Sequence, residues 1–121
     1  MNMAENKEVT VKNINRAIRR IGLPVTVESS SGLRSGRAVI NPMRYYQKQW
    51  GGVEHAAEGR TEPKRFSMFC PRELLEDSDY GSIIYQGSIR YVLIWKDDYT
   101  SRVGCYTKAC LRKITEEDDN E

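Results

Sequence analysis

Between residues 10 and 21 apolar side chains recur every three or four positions, at Val11, Ile14, Ile18 and Ile21, with Ala17 beside them. That spacing gathers them on one face and predicts an amphipathic helix over 10–21. Thr10 stands at the N-cap position, and Val9 before it is placed to staple onto the first turn. Gly22 predicts a left-handed cap, with Leu23 folding back on Ile18 and Pro24 barring continuation. The opposite helix face carries Lys12, Arg16, Arg19 and Arg20. Basic residues in a last turn suit the helix dipole, so this stripe has a structural reason besides being a candidate binding face.

After Pro24 the period falls to two. Val25 and Val27 alternate with Thr26 and Glu28, a strand. Residues 29–36, rich in Ser and Gly, predict a loop. Residues 37–40 resume as a strand until Asn41-Pro42 interrupts it. From 43 to 63 no clean period holds, although Tyr45, Tyr46 and Trp50 lie there. So long a loop in so short a chain is commonly functional or disordered. Residues 64–70 read as a strand with Phe66, Met68 and Cys70 on one side. A short helical turn over 71–76 and a polar bend over 77–81 follow.

The strongest β pattern comes next. Ile83 and Tyr85 lead into a two-residue Gln86-Gly87 turn, and Ile89, Tyr91, Leu93 and Trp95 alternate on the return strand. Val92 and Ile94 fill the other face, which predicts a strand covered on both sides. Residues 97–102 read as a bend and 103–111 as a last strand, with a helix over 107–114 as the competing reading. The expected fold is mainly β: a small barrel or rolled antiparallel sheet of about six strands with one N-terminal helix and a long inserted loop. Closing the sheet removes the exposed edges that a chain this short has nothing to cover. The expected organisation is a flexible N-terminus (1–9), a single domain (10–114) and a disordered tail (115–121) without apolar residues.

A length of 121 residues fits one hydrophobic core, and 39% hydrophobic with 30% charged residues is too apolar for wholesale disorder. No apolar run approaches the ~20 residues of a membrane span. The first eight residues are too polar for a signal peptide. Cys70, Cys105 and Cys110 are odd in number and form no CxxC pair. Cys105 and Cys110 sit on one predicted strand, on opposite faces and ~17 Å apart, so they are not expected to pair. All three read as free thiols serving as small apolar residues. Charge is polarised along the chain: five of the 17 acids lie in residues 116–121, which leaves 19 basic against 12 acidic residues before them, a net of +7.

Catalytic patterns are sparse. The single histidine, His55, has no second His at i+4 and so makes no zinc-protease helix. Paired with a thiol it would be a nucleophilic site, and with Glu54 and Glu58 a metal site, but the spacing requires neither. No GxGxxG, P-loop or GxSxG occurs. Ser31-Gly32-Leu33-Arg34-Ser35-Gly36 resembles a phosphate loop, yet it precedes a strand rather than a helix and reads as a hairpin loop. No catalytic residue, cofactor, metal or small-molecule substrate is expected. A basic body with rings also admits a nucleic-acid reading, in which Tyr45, Tyr46 and Trp50 stack bases beside Arg44, Lys48, Arg60, Lys64 and Arg65. Rings at strand spacing, such as Tyr85, Tyr91 and Tyr106, belong to a barrel wall or core instead.

Four stretches together carry a resemblance: Ile40-Asn41-Pro42-Met43-Arg44-Tyr45; Arg65-Phe66-Ser67-Met68-Phe69-Cys70-Pro71; residues 81–92, with Tyr85-Gln86-Gly87 at their centre; and residues 103–112. Over residues 36–114 the chain is similar to small head–tail connector proteins of the head-completion, stopper or minor-capsid type found in tailed phages and prophages. One departure is Ser82, where an acid and a small polar residue often open the strand. The resemblance implies a non-catalytic β-barrel that joins a ring between portal and tail. Its partners would be virion proteins (portal or adaptor, and tail components) and copies of itself, with possible contact to DNA. Its location would be the bacterial cytoplasm before assembly and the virion afterwards, without a membrane. Within it, Arg44, Tyr45, Tyr46, Lys48, Trp50, His55 and Arg60 form the candidate interaction loop. The alternatives are a nucleic-acid-binding barrel and, last, a small enzyme built on His55 and a thiol.

Overall fold

The computed structural model describes residues 3–43 and 64–115. A helix, α1 (Met3–Ile21), precedes six strands: β1 (Leu23–Ser29), β2 (Gly32–Pro42), β3 (Arg65–Cys70), β4 (Ile83–Gln86), β5 (Ile89–Ser101) and β6 (Gly104–Lys113). A 3-10 turn, Arg72–Leu74, lies between β3 and β4. Every pairing is antiparallel, and the order β1-β2-β3-β6-β5-β4 returns to β1 as a closed barrel. The expected mainly β barrel with one N-terminal helix is what the chain forms, and β6 is a strand rather than the competing helix.

Period-two alternation explains the interior. Val25, Val27, Ala38, Met68, Cys70, Ile84, Tyr91, Leu93, Ala109 and Leu111 all face one buried cluster. Fully burying each large aliphatic side chain contributes ~1.5–3 kcal/mol. Leu74 and Leu75, from the turn after β3, close one end of this core, and Phe66 and Ile40 pack against it. Phe66 meets Tyr91 edge-on with ring centroids 5.1 Å apart. The inside is a packed core.

A second cluster forms outside the wall. Val11 and Ile18 of α1 bury themselves with Tyr106, and Ile14, Val39, Phe69 and Tyr99 pack around them. Tyr99 and Tyr106, directly opposite across β5 and β6, stack with centroids 5.0 Å apart and planes 9° apart. The helix thus covers the outer face of β2, β3, β6 and β5, which is why those strands carry apolar residues on both sides.

Several boundaries differ from the sequence reading. The helix begins at Met3, not at residue 10, so the segment expected to be flexible is largely helical. Thr10 does not cap; its hydroxyl bonds back to the Asn6 carbonyl inside the helix at 2.9 Å, and Val9 is exposed. Acids near the helix start suit the dipole and let it run back past Thr10. Gly22 is not left-handed. Its amide donates to the Ile18 carbonyl, and a β-carbon there would stand 2.3 Å from that oxygen, so the position needs glycine for closeness. Leu23 opens β1 and is exposed instead of folding back. Pro24 sits inside β1 opposite Arg37, beyond the reach of β4, where a missing amide costs no ladder bond to that neighbour.

The predicted loop over 29–36 is mostly strand. Ser29 pairs with Gly32, leaving Ser30-Ser31 as the turn, and the amides of 32–36 run along the β1 ladder rather than around a phosphate. Asn41 and Pro42 continue β2. The β4–β5 turn is Gly87-Ser88, one residue later than expected, with Gly87 at φ 61°. Glycine in the first turn position is what a type II′ hairpin requires. The bend expected over 97–102 belongs to β5, which runs to Ser101. A register shift between Leu93 and Trp95 sets Trp95 opposite Cys110 while Leu93 stays opposite Leu111, so Trp95 leaves the alternation predicted for it.

Candidate functional site

The topology gives the barrel two different ends. The hairpin end holds the β1–β2 turn, the β3–β4 connection and the tip of the β5–β6 hairpin. The exit end holds the C-terminus of α1, the end of β2, the start of β3, the β4–β5 turn and the end of β6. The chain leaves the barrel there after Lys113, with the Ile114 amide bonded to the Arg90 carbonyl at 2.8 Å.

Acidic residues collect at the hairpin end. Glu73, Glu76, Asp77 and Asp79 lie on the β3–β4 connection. Asp97 and Asp98 occupy the half of β5 that runs toward Ser101, and Glu28 is near the end of β1. The cations of this end are engaged. Arg34 bonds the Glu73 carbonyl at 2.5 Å and pairs with the Asp77 carboxylate. Arg72 lies 3.6 Å from Asp98, and Arg102 lies 2.8 Å from Glu8 of α1. Lys96 turns inward to the Leu75 and Glu76 carbonyls. Thr107, fully buried, donates to Asp98 at 2.5 Å. A surface hollow of about 410 Å³ lies here between Arg34, Ser35, Gly36, Pro71, Glu73 and Leu74. Its one guanidinium is already held by two acceptors, so the hollow offers little to a charged ligand.

The exit end is cationic. Arg65 and Arg112 stand directly opposite each other across β3 and β6. Their neighbours Phe66 and Leu111 belong to the interior, so both arginines project from the outer face. Lys64 precedes Arg65, Lys113 follows Arg112, and Arg19 and Arg20 end α1 on the same side of the barrel. Among the described residues, no acid lies on the strand ends or turns of this end. Like charges directly opposite in a sheet repel, so positive charge is concentrated at this end.

Of the residues singled out from sequence, Lys12, Arg16, Arg19 and Arg20 are all exposed on the helix face turned from the barrel. Arg44, Tyr45, Tyr46, Lys48, Trp50, His55 and Arg60 lie outside the described residues. Arg65 joins a cross-strand pair with Arg112, which the sequence reading passed over. The outward period of Lys108, Cys110 and Arg112 was visible, but its facing partner on β3 was not.

Two of the three thiols, those of Cys70 and Cys110, sit in unreactive settings. Burial pushes the Cys70 thiol up to about 12, helped by Glu73 and Asp98 and opposed by Lys96. Burial also raises Cys110, against the pull of Arg65 and Lys108. Its sulfur lies 3.8 Å from that of Met43. The nucleophile is the thiolate, so neither is primed for attack. Among the described residues, no group of three or more His, Cys, Asp or Glu is placed to hold a metal ion, and no helix is long and apolar enough to cross a membrane. No protein-family model, curated protein or solved structure matches the chain.

Proposed function

We propose that the protein is a non-catalytic structural subunit of a phage or prophage head–tail connector, joining its neighbours through the two unlike ends of a solid barrel. The observation that carries this reading is the segregation of charge along the barrel. One end gathers acidic residues around Arg34, Arg72 and Arg102, and the other gathers Arg65, Arg112, Lys64 and Lys113 with no acid on its described strand ends or turns. Opposed potentials on two ends orient a subunit and favour head-to-tail contacts between copies or with charged partners. The filled interior and the burial-raised thiols of Cys70 and Cys110 support a scaffold over an enzyme.

The test is assembly. The isolated protein is expected to be a monomer or weak oligomer, and to form rings only when mixed with portal and tail-completion proteins, as seen by negative-stain electron microscopy. Half-molar salt should dissolve these contacts. Absence of co-elution with every such partner at low salt would remove the reading. Deleting residues 45–62 should abolish assembly and spare the fold, because the Met43 amide bonds the Arg65 carbonyl and closes the base of the connection.

The cationic exit end also favours a second reading, a nucleic-acid-binding barrel. It predicts duplex or single-strand binding that falls with salt by roughly 0.7–0.9 log units per log unit for each phosphate contacted. No binding at 50 mM salt discards it.

A further inference from the structure

β5 runs well past the strand beside it. β4 pairs only with residues 89–92, and the last bonds on that side come from Leu93, whose amide donates to the Ser82 carbonyl at 2.8 Å and whose carbonyl accepts from the Gly81 amide at 3.0 Å. From Trp95 to Ser101, β5 pairs with β6 alone. Strand alternation fixes where its backbone points. The Arg90 carbonyl accepts from the Ile114 amide, and the same alternation, carried through the register shift, makes Trp95–Cys110, Asp97–Lys108, Tyr99–Tyr106 and Ser101–Gly104 the hydrogen-bonded pairs. The two-residue turn flanked by Ser101 and Gly104 requires the same parity. The backbone amides and carbonyls of Lys96, Asp98 and Thr100 therefore point away from β6, to the side that β4 has left. Among the described residues, no strand pairs with them.

Charge decides what this edge accepts. Asp97 and Asp98 are exposed on it, and Glu76, Asp77 and Asp79 lie on the neighbouring connection. Lys96, the one cation of the edge, turns to the Leu75 and Glu76 carbonyls. Charged side chains on a strand edge resist pairing with a copy of themselves, since two acidic ends would then meet. The same charges favour a cationic strand. At the β4 end of the edge a hollow of about 240 Å³ lies between Ser78, Asp79, Tyr80, Leu93, Trp95 and Lys96, with Tyr80 78% exposed beside it. We propose that the outer edge of β5 over residues 96–100 is a docking site for an extended basic segment of a partner protein. The segment adds to the sheet as a further strand, its backbone bonded to Lys96, Asp98 and Thr100 and one apolar side chain seated in the hollow against Trp95. In strand addition the main chain supplies affinity and side-chain seats supply specificity. The inference does not depend on the connector reading.

The experiment uses the full chain and a synthetic peptide of about six residues, the usual length of a strand, in which Lys alternates with Val. At low salt the peptide should bind, and its counterpart with Glu in place of Lys should not; equal binding of the two would overturn the choice of a basic occupant. A version methylated on its backbone nitrogens keeps every charge but cannot donate to the edge, and should bind at least about tenfold more weakly. Equal affinity would show charge attraction alone and overturn strand addition. On the protein side, Thr100→Pro removes an amide that takes no part in the β6 ladder, so the fold should persist while peptide affinity falls about tenfold. Unchanged affinity in that folded variant would overturn the edge as the site. Hydrogen exchange of the native chain tests the register without any substitution: the peptide should newly protect the alternate amides of Lys96, Asp98 and Thr100. Protection of the same amides on concentrating the protein without peptide would make a second copy the occupant and overturn the proposal.

Discussion

Gly36 of β2 faces Leu74 so closely that a β-carbon at Gly36 would stand 3.2 Å from the Leu74 Cδ1 atom. Gly36 pairs with inward-facing Val25, and the missing side chain is the space through which the turn after β3 lowers Leu74 into the end of the core. Gly36→Ala should therefore destabilise by ~1 kcal/mol through crowding of a packed side chain. Leu74→Ala should cost ~2–5 kcal/mol. Because the two share one space, the double variant should be more stable than the sum of the singles by at least ~0.5 kcal/mol. A urea-unfolding double-mutant cycle measures this; strict additivity would mean that Leu74 does not occupy the space over Gly36.

Cys70 makes stability depend on alkaline pH. Its thiol is held up to about 12 in the folded chain against an ordinary value of 9.0, chiefly by burial. Above pH 9 the unfolded chain loses this proton and the folded chain keeps it, so the contribution is complete below pH 9 and is lost as pH rises toward 12. The slope is at most ~1.4 kcal/mol per pH unit. Tyr91 and Tyr106, also raised by burial, add to the loss above pH 10. Between pH 9 and 10 the difference in slope between the native chain and Cys70→Ala isolates the thiol. Parallel pH profiles would contradict the burial.

The Arg65–Arg112 pairing makes an acid substitution stabilising. Arg65→Glu replaces a like-charge cross-strand pair by an opposite-charge one, which should raise stability by ~0.2–1 kcal/mol at low salt. The gain should fade at 1 M salt, where the screening length is ~3 Å. Thermal unfolding at both salt concentrations checks the sign; a loss of stability at low salt would show that the like-charge pair is not a net cost.

Helix docking has its own signature. Ile18 is buried in the cluster outside the barrel with Val11 and Tyr106. Ile18→Ala should cost ~2–5 kcal/mol. The loss should appear first as increased hydrogen exchange along α1, with the β3–β6 ladder still protected. Simultaneous loss of protection in both would make the helix part of the barrel's cooperative unit.

Hydrophobic alternation, read along the chain, determined the class of this fold. Val25 and Val27, Phe66 to Cys70, and Tyr91 to Leu93 each report in a few residues which side faces a core, because that signal is local. On β4 the core residue is Ile84, and the alternating pair Ile83 and Tyr85 lies on the other face. The amphipathic stripe of α1 was legible for the same reason, although its start was not: capping depends on how far the helix runs, and Thr10 bonds backward instead. The strand over 32–36 stayed hidden because its inward positions are Arg34 and Gly36, suited to the plug at the barrel end and carrying no hydrophobic signal. Trp95 was misassigned because one register shift reverses the alternation beyond it.

Net charge and the acidic terminal segment were evident in the sequence; their arrangement in space was not. Only barrel closure brings β3 beside β6, sets Arg65 against Arg112 and gathers the acids at the opposite end. Apolar period is fixed by the backbone repeat of a single element. The meeting of two charges far apart in sequence is fixed by strand order and register, which belong to the folded molecule as a whole.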